Sequence, residues 1–131
     1  MKKKILIIED EEELLSLLEK RLGQEGYEVA TAKDGKEGLT KIKEIKPNLV
    51  LLDVVMPVMD GFEVMEAMNK DEEMKKIPFI IISNSGQPVE IDRALKLGAK
   101  DYLVKVKFTP QDVLEKIKKQ IGNGSKVENL K

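Results

Sequence analysis

Neither cysteine nor histidine occurs anywhere in the 131 residues. Their absence removes disulfides, thiolate nucleophiles, Ser-His-Asp and Cys-His catalysis, and zinc sites built on sulfur or imidazole. Arginine is scarce: Arg21 and Arg93 are the only two among 23 basic residues, and 24 acidic residues bring the formal net charge to −1. A strongly basic surface with arginines for base edges is not expected, so no direct nucleic-acid partner is either. Long apolar runs are missing too. After Met1-Lys2-Lys3-Lys4, only Ile5 to Ile8 precede Glu9 and Asp10, too few for a signal-peptide core or a membrane span. The expectation is a cytoplasmic chain without membrane association, whose chemistry rests on carboxylates, lysines, hydroxyls or backbone groups.

What is present alternates between two patterns. Uninterrupted apolar runs at Ile5 to Ile8, Leu49 to Leu52 and Phe79 to Ile82 read as strands buried on both faces. Tyr27 to Ala30 and Tyr102 to Val104 give weaker strand signals. Between them, apolar residues recur at three- and four-residue intervals, which places each set on one helix face. The sets are Leu14, Leu17, Leu18 and Leu22; Leu39 and Ile42; Phe62, Met65 and Met68; Ile91, Ala94 and Leu95; and Val113, Ile117 and Ile121. Leu15 lies off the first stripe, either peripheral core or an exposed contact for a partner helix. Asp34-Gly35 opens the second helix and Pro47 closes it; Thr109-Pro110-Gln111-Asp112 opens the fifth with cap, first-turn proline and acid in order.

Strand and helix alternating five times in about 120 residues, a length that fits one domain, predicts a doubly wound parallel α/β sheet with helices on both faces. The domain is expected over residues 1–121, with 122–131 a flexible polar tail. Ligands of such sheets sit beyond the carboxyl ends of the strands. There the sequence places Glu9-Asp10, Asp53, Ser83 and Lys105. Three carboxylates so close would raise one another's pKa, and Lys105 alone is too little compensation. A hard divalent cation, Mg²⁺ or Mn²⁺, held by carboxylates and water, answers that surplus.

These residues, in this order, resemble the response-regulator receiver family of two-component signalling. The resemblance rests on Glu9-Asp10 after the first strand, Asp53 in Leu51-Leu52-Asp53-Val54-Val55-Met56-Pro57, Asp60-Gly61, Ser83, and Gly98-Ala99-Lys100-Asp101-Tyr102-Leu103-Val104-Lys105. It implies a flavodoxin-like sheet of strand order 2-1-3-4-5 and a phosphorylation-activated switch with Asp53 as phosphoacceptor. It further implies metal ligation by Glu9, Asp10, Asp53 and the Val55 backbone carbonyl, phosphoryl sensing by Ser83 and Lys105, and an inward rotation of Tyr102. Val55, Asn84 and Ser85 stand where the family tunes dephosphorylation. The implied partners are a sensor histidine kinase or histidine phosphotransfer protein and a downstream target protein. Such a chain is not an enzyme beyond its own phosphotransfer and slow self-dephosphorylation.

Two departures from the family pattern stand out. Val106 replaces the usual proline after the lysine, so a trans peptide and a reshaped loop are expected. Glu9 replaces the usual Asp, adding a methylene that favours a water-mediated role. Met56-Pro57 and Asp60-Gly61 read as structural, with Gly61 freeing the backbone of the loop. Rival functions fit less well: a flavin binder needs a phosphate cradle where this chain has Glu9 to Glu13, and a haloacid-dehalogenase-type phosphatase needs an acid at Val55. The remaining alternative is a degenerate receiver that binds proteins without phosphorylation.

Overall fold

The computed structural model describes residues 2–124. Five strands, β1 (Lys4–Ile8), β2 (Glu28–Ala32), β3 (Leu49–Asp53), β4 (Phe79–Ser83) and β5 (Asp101–Val104), alternate with five helices, α1 (Glu12–Gln24), α2 (Gly35–Ile45), α3 (Gly61–Asn69), α4 (Pro88–Lys96) and α5 (Pro110–Ile121). All strand pairings are parallel, in the order β2-β1-β3-β4-β5, which is the architecture the alternation predicts.

The apolar runs are uninterrupted because both sheet faces are covered. Ile5, Ile7, Leu49, Leu51, Ile80 and Ile82 pack with Leu15, Leu18 and Leu22 of α1 and Val113, Leu114 and Ile117 of α5. Their neighbours Leu6, Ile8, Val50, Leu52, Phe79 and Ile81 pack on the other side with Ile42 of α2, Val64, Met65 and Met68 of α3, and Ala94 of α4. Successive residues thus alternate between two cores, as the pleat requires. Leu15 is core at 6% exposure, whereas Leu17, which the spacing groups with the stripe, is 50% exposed. Leucines at 14, 15, 17, 18 and 22 allow either face by period, and the seat of α1 against α5 selects one.

Local signals open helices at Asp34 and Thr109 as expected, and at Asp60 as well. Asp34 accepts from the Glu37 N–H at 2.8 Å; Asp60 with Glu63, and Thr109 with Asp112, form reciprocal capping boxes. Gly61 has another purpose than the one expected of it. Its φ is not positive; instead a Cβ there would lie 2.3 Å from the Asp53 carbonyl oxygen, so only glycine lets α3 start against the end of β3. The unusual backbone belongs to exposed Val58, at φ 69°, spanned by a 2.7 Å bond from the Met59 N–H to the Pro57 carbonyl. This is a three-residue turn that strains a β-branched residue.

Beyond α5 the described chain keeps contact with the body of the fold. Gly124 is buried, its carbonyl accepts from the Lys3 N–H at 3.1 Å, and the Gly122 carbonyl accepts from the Tyr27 hydroxyl at 2.6 Å. Gly122 and Gly124, the first part of the tail expected from Gly122, thus bond to the Tyr27 hydroxyl before β2 and to the Lys3 N–H before β1. Residues 125–131 lie outside the described range. No described helix is long and apolar enough to cross a membrane.

Candidate functional site

The strand register brings the predicted residues to one edge. Ile8 pairs with Leu52, Asp53 with Ile82, and Ser83 with Val104, so Glu9, Asp53, Ser83 and Lys105 stand at nearly one level. Pleat parity then divides them. Glu9 continues Ile5 and Ile7, and Asp53 continues Leu49 and Leu51, on the α1/α5 side; Ser83 continues Phe79 and Ile81 on the α2/α3/α4 side.

The charged group is compact. Lys105 Nζ, on a side chain 8% exposed, lies 3.0 Å from Glu9 Oε1, 3.1 Å from Asp53 Oδ2 and 3.0 Å from Glu11 Oε1. Glu9 and Asp53 are buried. The Val54 N–H donates to Asp53 Oδ1 at 2.7 Å, and the Glu11 N–H to Glu9 Oε2 at 2.9 Å. Burial raises the pKa of Glu9 from 4.5 to about 7, reinforced by the Asp53 charge and opposed by the Glu11 N–H and Lys105. Burial likewise raises the pKa of Asp53, against the pull of Lys105. Although burial disfavours its ammonium, the surrounding carboxylates push the pKa of Lys105 up and hold it charged.

One lysine does not balance this cluster. Carboxylate oxygens of Glu9, Asp10 and Asp53 all lie within 4.8 Å of one another, and Asp10 is exposed to solvent. Glu9 Oε1 is buried and accepts no hydrogen bond; Lys105 is close to it but hydrogen-bonds through Oε2 instead, at 3.1 Å. Three carboxylates with one ammonium among them, one carboxylate open to water, fit a hard oxygen-seeking cation.

The second group is neutral. Ser83 is buried, and its hydroxyl accepts from the Ser85 N–H at 3.1 Å. The Tyr102 hydroxyl donates to the Ser85 carbonyl at 2.8 Å, which ties Tyr102 of β5 to the β4–α4 loop. Burial raises its pKa, opposed by the nearby Ser83 hydroxyl. Asn84 is exposed and Ser85 half-buried. Val55 follows Asp53 in the loop with a side chain 72% exposed. All described peptide bonds are trans, as expected after Lys105, and Lys105–Lys107 close into a 3₁₀ turn that leaves Val106 83% exposed. Glu11 was missed by sequence reasoning as a partner of Lys105.

The model of the response regulator receiver domain matches residues 5–118. The chain belongs to that family. Receiver domains are phosphorylation-activated switches of two-component signalling, regulators rather than enzymes of the classical kind. This receiver is 38% identical over 120 residues to the chemotaxis protein CheY of Thermotoga maritima, covering 91% of this chain and 98% of that protein. It is 40% identical over 120 residues to the alkaline phosphatase synthesis transcriptional regulatory protein PhoP of Bacillus subtilis, covering 90% of this chain but 48% of the relative. The receiver thus spans about half the length of that regulator. Among solved structures, the chemotaxis protein CheY4 of Vibrio cholerae superposes with a TM-score of 0.85 at 30% identity, covering 92% of this chain and 100% of that one.

Proposed function

We propose that this receiver takes a phosphoryl group on Asp53 from a sensor histidine kinase or a histidine phosphotransfer protein. The observation that carries the reading is the Asp53 carboxylate, 3% exposed at the end of the central strand, sharing Lys105 with Glu9 and sharing a possible cation site with Glu9 and Asp10. A carboxylate oxygen of Asp53 attacks phosphorus, an acyl phosphate O–P bond forms, and the bond from phosphorus to the donor nitrogen breaks, with the electron pair leaving on the imidazole. Glu9, Asp10 and Asp53, with the Val55 carbonyl, would hold Mg²⁺ or Mn²⁺, which when bound screens the carboxylate and stabilises charge on the transferring group. Lys105 supplies a point charge to a phosphoryl oxygen.

At the end of β4, Ser83 donates its hydroxyl to the phosphoryl group, and the loop carrying Ser85 follows, with Tyr102 of β5 bonded to it. Tyr102 packs partly buried on the α2/α3/α4 core, so a shift of this loop reaches the surface that a downstream target protein reads. Asn84, Ser85 and Val55 flank the site and set the rate of phosphoryl loss.

The test is intact mass after incubation with Mg²⁺ and acetyl phosphate or phosphoramidate. One added phosphoryl group, absent in Asp53→Asn, is expected. No adduct at any Mg²⁺ concentration would leave a binding module that works without phosphorylation.

A further inference from the structure

Glu11 breaks a local rule at the start of α1. It occupies the N-cap position, where Ser, Thr, Asp or Asn ordinarily accepts from the helix's own backbone, yet its side chain makes no cap bond. Its carboxylate crosses instead to the end of β5 and accepts from Lys105 Nζ at 3.0 Å. An ammonium has three donors, and all three are engaged here, by Glu9 Oε2, Glu11 Oε1 and Asp53 Oδ2. One must be released before Lys105 can donate to a phosphoryl oxygen. Glu9 is fully buried and Asp53 carries the group itself. Glu11, with a side chain 53% exposed, swings into water at the least desolvation cost, and it stands outside the three carboxylates placed to hold a cation.

We propose that Glu11 is a positioning residue that tethers Lys105 in the unphosphorylated receiver, competes with the incoming phosphoryl group for it, and so slows phosphorylation. This rests on the reading of Asp53 as phosphoacceptor. Glu11→Asp keeps the charge, suits the N-cap better and is one methylene too short for the contact, so it separates tether from electrostatics. Glu11→Ala removes both, whereas Glu11→Gln removes the charge and keeps an amide oxygen within reach of Lys105. Glu12→Gln is the control, because Glu12 pairs with Lys33 at 3.0 Å.

Two measurements decide the matter: the initial rate of phosphoryl gain with Mg²⁺ and acetyl phosphate, and the rate of Lys105 acetylation by acetic anhydride without phosphodonor, read by peptide mass spectrometry. In Glu11→Asp, both are expected to rise roughly fivefold, the rate equivalent of one partly exposed ion pair. Glu11→Ala should be at least as fast, and Glu12→Gln should stay within about twofold of the parent. Lys105 acetylation unchanged in Glu11→Asp overturns the tether, as does equal acceleration in Glu12→Gln. If Lys105 acetylation rises but no form takes up a phosphoryl group, the tether stands and the assignment of Asp53 fails.

Discussion

The two ends of the sheet are built on opposite principles. At the amino end, most contacts join neutral groups: the Lys4 N–H and the Asn48 side chain at 2.7 Å, the Asn48 N–H and the Lys4 carbonyl at 2.8 Å, the Glu28 N–H and the Lys3 carbonyl at 2.9 Å, and the Gly122 and Gly124 carbonyls with Tyr27 and Lys3; the Lys3 ammonium donates to the Ile121 carbonyl. At the carboxyl end, one lysine serves three carboxylates and a buried oxygen goes without a hydrogen bond. Paired neutral groups hold the chain and have nothing further to bind, whereas surplus charge costs stability and is what a cation and a phosphoryl group can use.

Lys105→Ala should break the contrast most severely. It leaves Glu9 and Asp53 buried without their cation, and about 3 kcal/mol of stability should be lost in urea unfolding without Mg²⁺. Next comes Gly124→Ala, whose Cβ would meet the Tyr27 nitrogen at 2.6 Å. It should cost about 2 kcal/mol through backbone displacement while leaving the phosphorylation rate unchanged; an equal loss of phosphorylation would show that the two ends are coupled.

The pH response sharpens the comparison further. A carboxyl whose pKa is raised on folding binds more protons in the folded state, so its contribution favours folding at low pH and fades as pH climbs from its unfolded to its folded value. For Glu9 that window runs from 4.5 to about 7. Without Mg²⁺, stability should fall on the order of 2 kcal/mol between about pH 5.5 and 8, followed by thermal melts at each pH. The chain has no histidine, so the other group acting in the same direction is Asp53, whose pKa burial also raises, and Glu9→Gln should reduce the slope. The smallest effect is expected at Val58, where Val58→Gly relieves a positive φ and should raise stability by about 1 kcal/mol, read as a higher urea midpoint.

Much of the site was legible because polar residues ending apolar strands are conspicuous: Glu9, Asp53 and Ser83 each directly follow or close a buried run, and Lys105 follows the weaker strand Asp101–Val104. The partition of these residues was also latent in the pleat, since Glu9 and Asp53 share the parity of Ile7 and Leu51 while Ser83 shares that of Ile81. Other features had no local signal. Gly61 looks like any loop glycine until the Asp53 carbonyl is seen against it. Gly124 looks like part of a polar tail until Tyr27 closes over it.

By itself, the sequence determined the alternation of strands and helices, the double burial of the sheet and the acidic strand ends, because periodicity and hydrophobicity act within a few residues of one another. Only the tertiary structure decided that Leu15 rather than Leu17 enters the core, that Gly122 and Gly124 bond to Tyr27 and Lys3, and that Glu11 gives its carboxylate to Lys105. Each of these depends on a contact between segments far apart in the chain, which strand order and helix seating create and no local pattern encodes.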